Sequence, residues 1–135
     1  MQSLNRYAPH FLGVLRIVTA LIFIAHGTQK LFGFPIMPPN GAFPPAFTLY
    51  WFAGALELVG GLLVLVGFQT RIVAFILSGQ MAFAYWMGHA PNSIYPVANG
   101  GDAAILYCFV FLYLVFAGGG RWSIDEAVRR ATSRP

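Results

Sequence analysis

The chain has 135 residues and a formal net charge of +4, with 58% hydrophobic and only 9% charged residues. An ordinary soluble domain carries about 25% charged residues, so a soluble fold of this length could not bury so much apolar surface, and lipid is the expected solvent. The basic residues lie scattered between apolar segments and do not cluster in the sequence, which argues against nucleic acid as a partner. The single cysteine, Cys108, excludes an internal disulfide and a two-cysteine redox relay.

Four apolar segments predict an all-α protein, an integral membrane four-helix bundle that forms one domain. The segments cover roughly 11–32, 47–68, 72–87 and 103–117. Only a minimal turn separates the second segment from the third, so these two should form an antiparallel hairpin. The other connections are long loops rich in Pro, Gly and Asn, which cannot continue a helix.

The first segment carries a polar stripe. Only 13 residues separate Arg16 from Lys30, which is about 20 Å of helix against a hydrocarbon core of about 30 Å. One or both cations must therefore snorkel to the surface or be buried in protein. His26 falls on the same helix face as Lys30. The two form either a snorkelling anchor belt or part of a site.

Glu57 is the only charged residue in the second segment. A charged carboxylate near the bilayer centre costs about 2.5–3.5 kcal/mol on insertion scales. Small residues around Glu57 would let a neighbouring helix come close, so the carboxyl should face the interior and not lipid. These small residues are Ala53, Gly54, Gly60 and Gly61.

Two interpretations of Glu57 remain open. Ionisable groups inside membranes are functional by default, so the carboxyl is a candidate for proton exchange. The alternative is a structural hydrogen bond or a pair with Arg16 that fixes helix packing. In either case we expect Arg16, His26 or a polar group of a neighbouring helix within reach of the carboxyl.

The end of the third segment and the start of the fourth add further polar side chains. Tyr85, His89 and Asp102 should lie at the same end of the bundle as His26 and Lys30. If they converge above the carboxyl, they outline a polar pocket beneath the two long loops. The alternative interpretation has no site: the aromatic residues at the end of the third segment form an interfacial belt, and His89 is an ordinary loop residue. No ligand spacing supports a metal site, and none is predicted.

The C-terminal region predicts a short interfacial helix. Ser123 and Glu126 have the spacing of a capping box, and Arg129 and Arg130 follow on the same helix. Trp122 just before it is typical of a side chain at the level of the lipid headgroups.

The distribution of cations predicts the orientation. With four spans, both termini and the turn between the second and third spans share one side. That side holds all the basic residues except Arg16 and Lys30, and Lys30 lies towards the other side. The positive-inside rule then places both termini in the cytoplasm of a bacterial cell, with the protein in its inner membrane.

Several short motifs, taken in order, resemble the DoxX family of small four-helix bacterial membrane proteins. The matching pieces are His26-Gly27-x-x-Lys30-Leu31-Phe32-Gly33, Glu57-Leu58-x-Gly60-Gly61, Gly67-x-x-Thr70-Arg71, Asn99-Gly100-Gly101-Asp102, and Gly118–Gly120 with Arg121-x-Ser123-x-Asp125. They span nearly the whole chain. Asp102 stands where glutamate is often expected in the family.

The resemblance implies a link to quinone pools and to thiol or oxidative-stress complexes, since the family name refers to a subunit of a thiosulfate:quinone oxidoreductase. We therefore expect a membrane subunit of a quinone-linked oxidoreductase or redox system. Glu57 and His26 are the candidate catalytic residues. The candidate quinone-binding residues are His26, Lys30, Glu57, Tyr85, His89 and Asp102. The sequence has no evident haem, flavin or iron–sulfur motif, so electrons would come from a protein redox partner or a substrate.

Two other classes of function remain open. The chain could be a non-enzymatic membrane anchor or assembly subunit in which Glu57 is a structural hydrogen-bonding group. It could also be a small lipophile-binding or transport protein, and because four helices form a thin pathway, transport would require a homo-oligomer.

The predicted orientation can be tested by cysteine accessibility. Cysteines at Asn40 and Ser93, one in each long loop, should react with membrane-impermeant reagents from the outer side. Labelling of either position only from the cytoplasmic side would contradict the orientation.

Overall fold

The computed structural model describes residues 2–133, in which all regular secondary structure is helical and there is no strand. A single π-helical segment, Tyr85–His89, follows α4 directly. The α-helices are α1 (Gln2–Asn5), α2 (Ala8–Phe32), α3 (Leu49–Val66), α4 (Thr70–Ala84), α5 (Pro96–Asn99), α6 (Asp102–Ala117) and α7 (Ile124–Thr132).

The four predicted apolar segments are all helical, and local signals set their ends. The helix α3 begins after Thr48, whose Oγ1 accepts a hydrogen bond from Trp51 N at 3.4 Å. It ends at Gly67, which adopts a left-handed conformation with φ of 69°. The predicted bounds of this segment, 47–68, therefore overshoot the helix by two residues at each end.

Two of these helices, α2 and α3, are long and apolar enough to cross a membrane. The helix α6 is also apolar but has 16 residues. Large apolar side chains point outward from all the long helices. Leu21, Phe75 and Phe109, for example, are 53%, 65% and 64% exposed. So much exposed apolar surface suits an apolar solvent.

The long helices pack in two main pairs, α2 with α3 and α4 with α6, and thinner contacts join α3 to α4 and α2 to α6. The core between them contains Phe23, whose ring packs edge to face against Phe111 with centroids 4.8 Å apart. Leu77 and Leu114 are fully buried in the same cluster. Such aromatic contacts hold α2 against α6.

Arg16 is fully buried, two turns from the start of α2, and joins three parts of the chain. Its guanidinium donates to the carbonyl groups of Val64, at 2.7 Å, and Leu65, in the last turn of α3. It also donates to carbonyls of the segment before α7. These are Gly119 O at 2.7 Å, Trp122 O at 3.0 Å and Arg121 O at 3.3 Å.

The segment before α7 is tied down a second time by Asp125. Its two carboxylate oxygens each accept a backbone N–H bond of 2.8 Å, from Gln69 and from Thr70, at the start of α4. A carboxylate at this position also complements the positive end of the helix. The C-terminal helix is therefore anchored to the ends of α3 and α4.

The predicted capping box of α7 forms in part. Ser123 Oγ accepts a hydrogen bond of 3.2 Å from Glu126 N, as expected. The Glu126 carboxylate does not return to the start of the helix. It binds Arg121 at 2.9 Å and Arg130 at 2.7 Å, because these guanidinium groups are stronger partners than a neutral N–H.

We expect Arg16→Met to lower the stability of the protein by about 3 kcal/mol or more, because several buried carbonyl groups would lose their donor. Thermal unfolding in mild detergent is the measurement. Arg6→Met is the matched control, since Arg6 is exposed and its side chain bonds the neighbouring Tyr7 hydroxyl. Equal melting temperatures for the two variants would contradict the role given to Arg16.

Candidate functional site

Glu57 lies on the buried face of α3, with only 3% of its surface exposed. Lys30 Nζ, on α2, lies 2.9 Å from Glu57 Oε1 and 2.6 Å from Oε2. The prediction that the carboxyl faces the interior, with a polar group of a neighbouring helix in reach, is confirmed. The alternative pair with Arg16 is wrong. Arg16 binds the carbonyl of Val64, two turns further along α3 and about 10 Å from Glu57 along the axis.

Glycines bring the two helices together at this point. A Cβ atom placed on Gly27 would lie 2.7 Å from Leu58 N and 2.9 Å from Gly54 O. Only a residue without a side chain permits so close an approach of the two backbones. Lys30 lies one turn after Gly27, and Glu57 lies one turn after Gly54, so the close approach places the ammonium beside the carboxylate.

Gln80 on α4 is the third member of the cluster. Its Nε2 lies 3.2 Å from Ala53 O and 3.4 Å from Glu57 Oε1. Its Oε1 is buried and has no hydrogen-bond partner among the described residues. The sequence analysis missed Gln80, although a lone amide side chain in the apolar segment 72–87 was a usable signal, because polar groups in such segments commonly join helices.

Lys30 lies at the edge of the cluster, and 15% of its side chain is exposed. It is not a snorkelling anchor, because its ammonium group turns inward to the carboxylate. Lys30 Nζ also lies 5.5 Å from the centre of the Tyr50 ring, a cation–π contact. An ammonium has three N–H groups, and the carboxylate can take two of them.

His26 lies one turn before Lys30 on α2 and is exposed. Its ring packs edge to face against Tyr107 of α6, with centroids 5.8 Å apart. Tyr107 is itself buried and packs against Phe23 with centroids 5.0 Å apart. The histidine therefore borders the Lys30–Glu57 pair on the same helix face.

Tyr85 and His89 belong to a separate arrangement, and Asp102 lies nearby in the sequence without joining it. His89 Nδ1 lies 2.9 Å from the carbonyl oxygen of Asn99, and its ring stacks on Tyr85 with centroids 6.5 Å apart. Asp102 begins α6 and is exposed. Among residues 2–133, no hydrogen bond, ion pair or ring contact joins these three side chains to Lys30 or Glu57.

A cavity of about 520 Å³ lies at the opposite end of the helices from the two long loops, bordered by Thr70, Arg71, Gly119 and Arg129. It is thus distinct from the Lys30–Glu57–Gln80 cluster. The sequence analysis predicted one polar pocket beneath the long loops, lined by all of the candidate quinone-binding residues. The contacts join Lys30 to Glu57 and Tyr85 to His89, and among residues 2–133 no hydrogen bond or ion pair joins the Asp102 side chain to either pair.

Comparison with known proteins places these features in a family. The sequence model of the DoxX family matches residues 11–90. An uncharacterized protein of Haemophilus influenzae is 44% identical over 129 residues, which cover 93% of this chain and 96% of that protein. An uncharacterized membrane protein of Mycobacterium tuberculosis is 27% identical over 146 residues, which cover 96% of this chain and 89% of that protein.

A Bacillus subtilis protein with the name "Putative oxidoreductase CatD" is 39% identical over 67 residues, which cover 48% of this chain and 49% of that protein. No solved structure matches the chain.

We expect Gly27→Ala to destabilise the protein by about 1–3 kcal/mol, the usual cost of overpacking, because the new methyl group would force α2 away from α3 and Lys30 away from Glu57. Gly79→Ala is the control. A Cβ atom there meets nothing within 4 Å, and alanine favours a helix over glycine. Thermal unfolding of both variants in detergent is the measurement, and a Gly27→Ala variant as stable as Gly79→Ala would contradict the close approach.

Proposed function

The chain belongs to the DoxX family, and from that premise we propose that it is a membrane subunit of a quinone-linked oxidoreductase or oxidative-stress system. The observation that carries the proposal is the Lys30–Glu57 ion pair, buried between apolar helices and bonded to Gln80. A quinone stays in the apolar part of the bilayer, so a titratable pair between apolar helices could exchange protons with it. The partial similarity to the Bacillus subtilis protein named as an oxidoreductase supports the same class of function.

The proposed setting is the inner membrane of a bacterium. The four long helices would form a membrane-spanning bundle, with α7 in the interface and both termini in the cytoplasm. Support comes from the outward apolar side chains of the long helices and from the arginines, which gather at one end. The Lys30–Glu57 pair would then lie nearer the outer side.

The residues of the cluster fit a quinone head group. A quinone carbonyl needs a hydrogen-bond donor, and the third N–H of Lys30 or the His26 ring can supply one. A quinol hydroxyl needs an acceptor, and the buried Gln80 Oε1 has no partner among the described residues. A buried acceptor of that kind is expected to find a donor.

When bound, a quinone supplies the redox chemistry, because it takes up two electrons and two protons as it becomes a quinol. The residues of this chain would handle the protons. Glu57 can hold or release a proton at Oε1, and Lys30 stabilises the ionised form of the carboxylate at 2.6 Å. His26, exposed and one turn away, can pass protons between the cluster and its surroundings. Electrons would come from a protein redox partner.

A second candidate is a non-enzymatic anchor or assembly subunit. It is favoured by the fact that Lys30 already satisfies both oxygens of the Glu57 carboxylate. In that case the pair would only set the register of α2 against α3. The two functions make opposite predictions for a variant in which both charges are removed together.

We expect Glu57→Gln and Lys30→Gln each to destabilise the protein, because each leaves one charge of a buried pair without its partner. The double variant, Lys30→Gln with Glu57→Gln, should recover most of the stability, since two neutral amides can hydrogen-bond to each other. Its quinone-dependent turnover in membranes should nevertheless stay about 100-fold or more below that of the wild type, the usual cost of losing a general acid–base group.

The measurements are thermal unfolding in detergent, binding of a short-chain benzoquinone to the purified protein, and reduction of that quinone by membranes that carry each variant. His26→Ala should weaken binding, whereas His10→Ala, the same substitution at the other end of α2 where the ring packs against Trp122, serves as the control. If the double variant is stable and its quinone binding and turnover are unchanged, the quinone-linked function is wrong and the non-enzymatic anchor is correct.

A further inference from the structure

The cavity at the arginine end of the helices has the features of a site for an anionic lipid headgroup. It lies between the first turn of α2, the start of α4 and the end of α6. Residues at the start of α7 complete its wall. Its walls combine polar groups with apolar ones, the latter from Leu12, Tyr113 and Ala117. A mixed lining of this kind suits an amphipathic molecule.

Positive charge dominates around the cavity. Its two carboxylates both have partners, because Asp125 caps the start of α4 and Glu126 binds Arg121 and Arg130. Two further arginines, Arg71 and Arg129, line the cavity directly. The lining has two arginines and two carboxylates, and Arg121 and Arg130, which bind Glu126 from outside the lining, bring the arginines around the cavity to four. An anion is therefore the complementary ligand.

Arg71 presents part of its guanidinium to the cavity. Its Nη1 donates to the carbonyls of Val115 and Phe116, at 2.8 and 2.9 Å, and so fixes the side chain at the end of α6. Its Nη2 and Nε lie on the side of Gly118, since a Cβ placed on that glycine would be 3.5 and 3.7 Å from them. This edge of a guanidinium is the one that binds a phosphate through two parallel hydrogen bonds.

A buried hydroxyl in the same wall points to a ligand independently. Thr70 is 0% exposed, and its Oγ1 has no hydrogen-bond partner among residues 2–133. A Cβ placed on Gly119 would lie 2.8 Å from that oxygen. The hydroxyl is thus next to the glycine segment that lines the cavity.

The surroundings place the cavity at headgroup depth. Trp122, beside it, is 63% exposed, and Ile124 and Val128 form an exposed apolar stripe one turn apart on α7. Such a helix lies in the membrane interface with its apolar side towards the acyl chains. Arginines at this level attract anionic lipids.

We propose that this cavity binds the phosphate headgroup of an anionic phospholipid, with Arg71 and Arg129 as its ligands and an acyl chain along Leu12 and Tyr113. The site is independent of the quinone chemistry proposed above, and its test does not involve turnover.

The test is native mass spectrometry of the full chain from nanodiscs that contain equal amounts of phosphatidylglycerol and phosphatidylcholine. Wild type should retain phosphatidylglycerol preferentially. Arg129→Gln should reduce the preference about fivefold, since an arginine near an anionic lipid contributes about 1 kcal/mol. Arg6→Gln, which removes an exposed arginine that does not line the cavity, should leave it unchanged.

A second variant separates the cavity from general surface charge. Ala8→Trp fills the cavity mouth and keeps every arginine, so it should also lower the preference. If Ala8→Trp keeps the full preference for phosphatidylglycerol, the lipid does not bind in the cavity, and the assignment is wrong. Equal binding of the two lipids by wild type, or displacement of phosphatidylglycerol by millimolar inorganic phosphate, would overturn the lipid as the ligand.

Discussion

The helix α2 carries one cation near each end, and each cation fixes that helix to α3 through a different kind of partner. Arg16 donates to backbone carbonyls at the end of α3, and Lys30 donates to the carboxylate of Glu57. The two contacts are 14 residues apart in α2, about 21 Å along its axis. Because both ends are held, the register of α2 on α3 is set, and the other helices pack against this pair.

The chemistry of the two ends differs in a way that assigns their roles. An arginine in a protein does not lose its proton, and the carbonyls around Arg16 cannot gain one. That end can therefore only hold the structure together. The Lys30–Glu57 end joins two groups that can both exchange protons, with an amide beside them, so of these two contacts only this one can exchange protons.

The sequence predicted the helices and the inward direction of Glu57, because glycines on one helix face and long apolar runs are local patterns. It did not predict that Lys30 is the partner. Helical periodicity gives the face of a side chain, but the depth at which two helices meet depends on the contact of Gly27 with the backbone of α3. The role of Arg16 was equally hidden, because carbonyl acceptors at helix ends have no residue signature. The sequence could not predict that His89 meets the Asn99 carbonyl, because the path of the loop between His89 and Asp102 decides that contact.

The burial of the Lys30–Glu57 pair is hard to explain by stability alone. Removing two charges from water costs about as much as their attraction returns, and apolar side chains of the same size often stabilise a fold as well or better. Gly27 and Gly54 allow the backbones of α2 and α3 to pack closely, and the pair fixes the register of that contact. Gln80 adds a second polar group that turns towards the carboxylate and still has a buried oxygen without a partner in residues 2–133. A costly buried pair with an unpartnered amide oxygen beside it is an arrangement in which a further hydrogen-bond donor is expected.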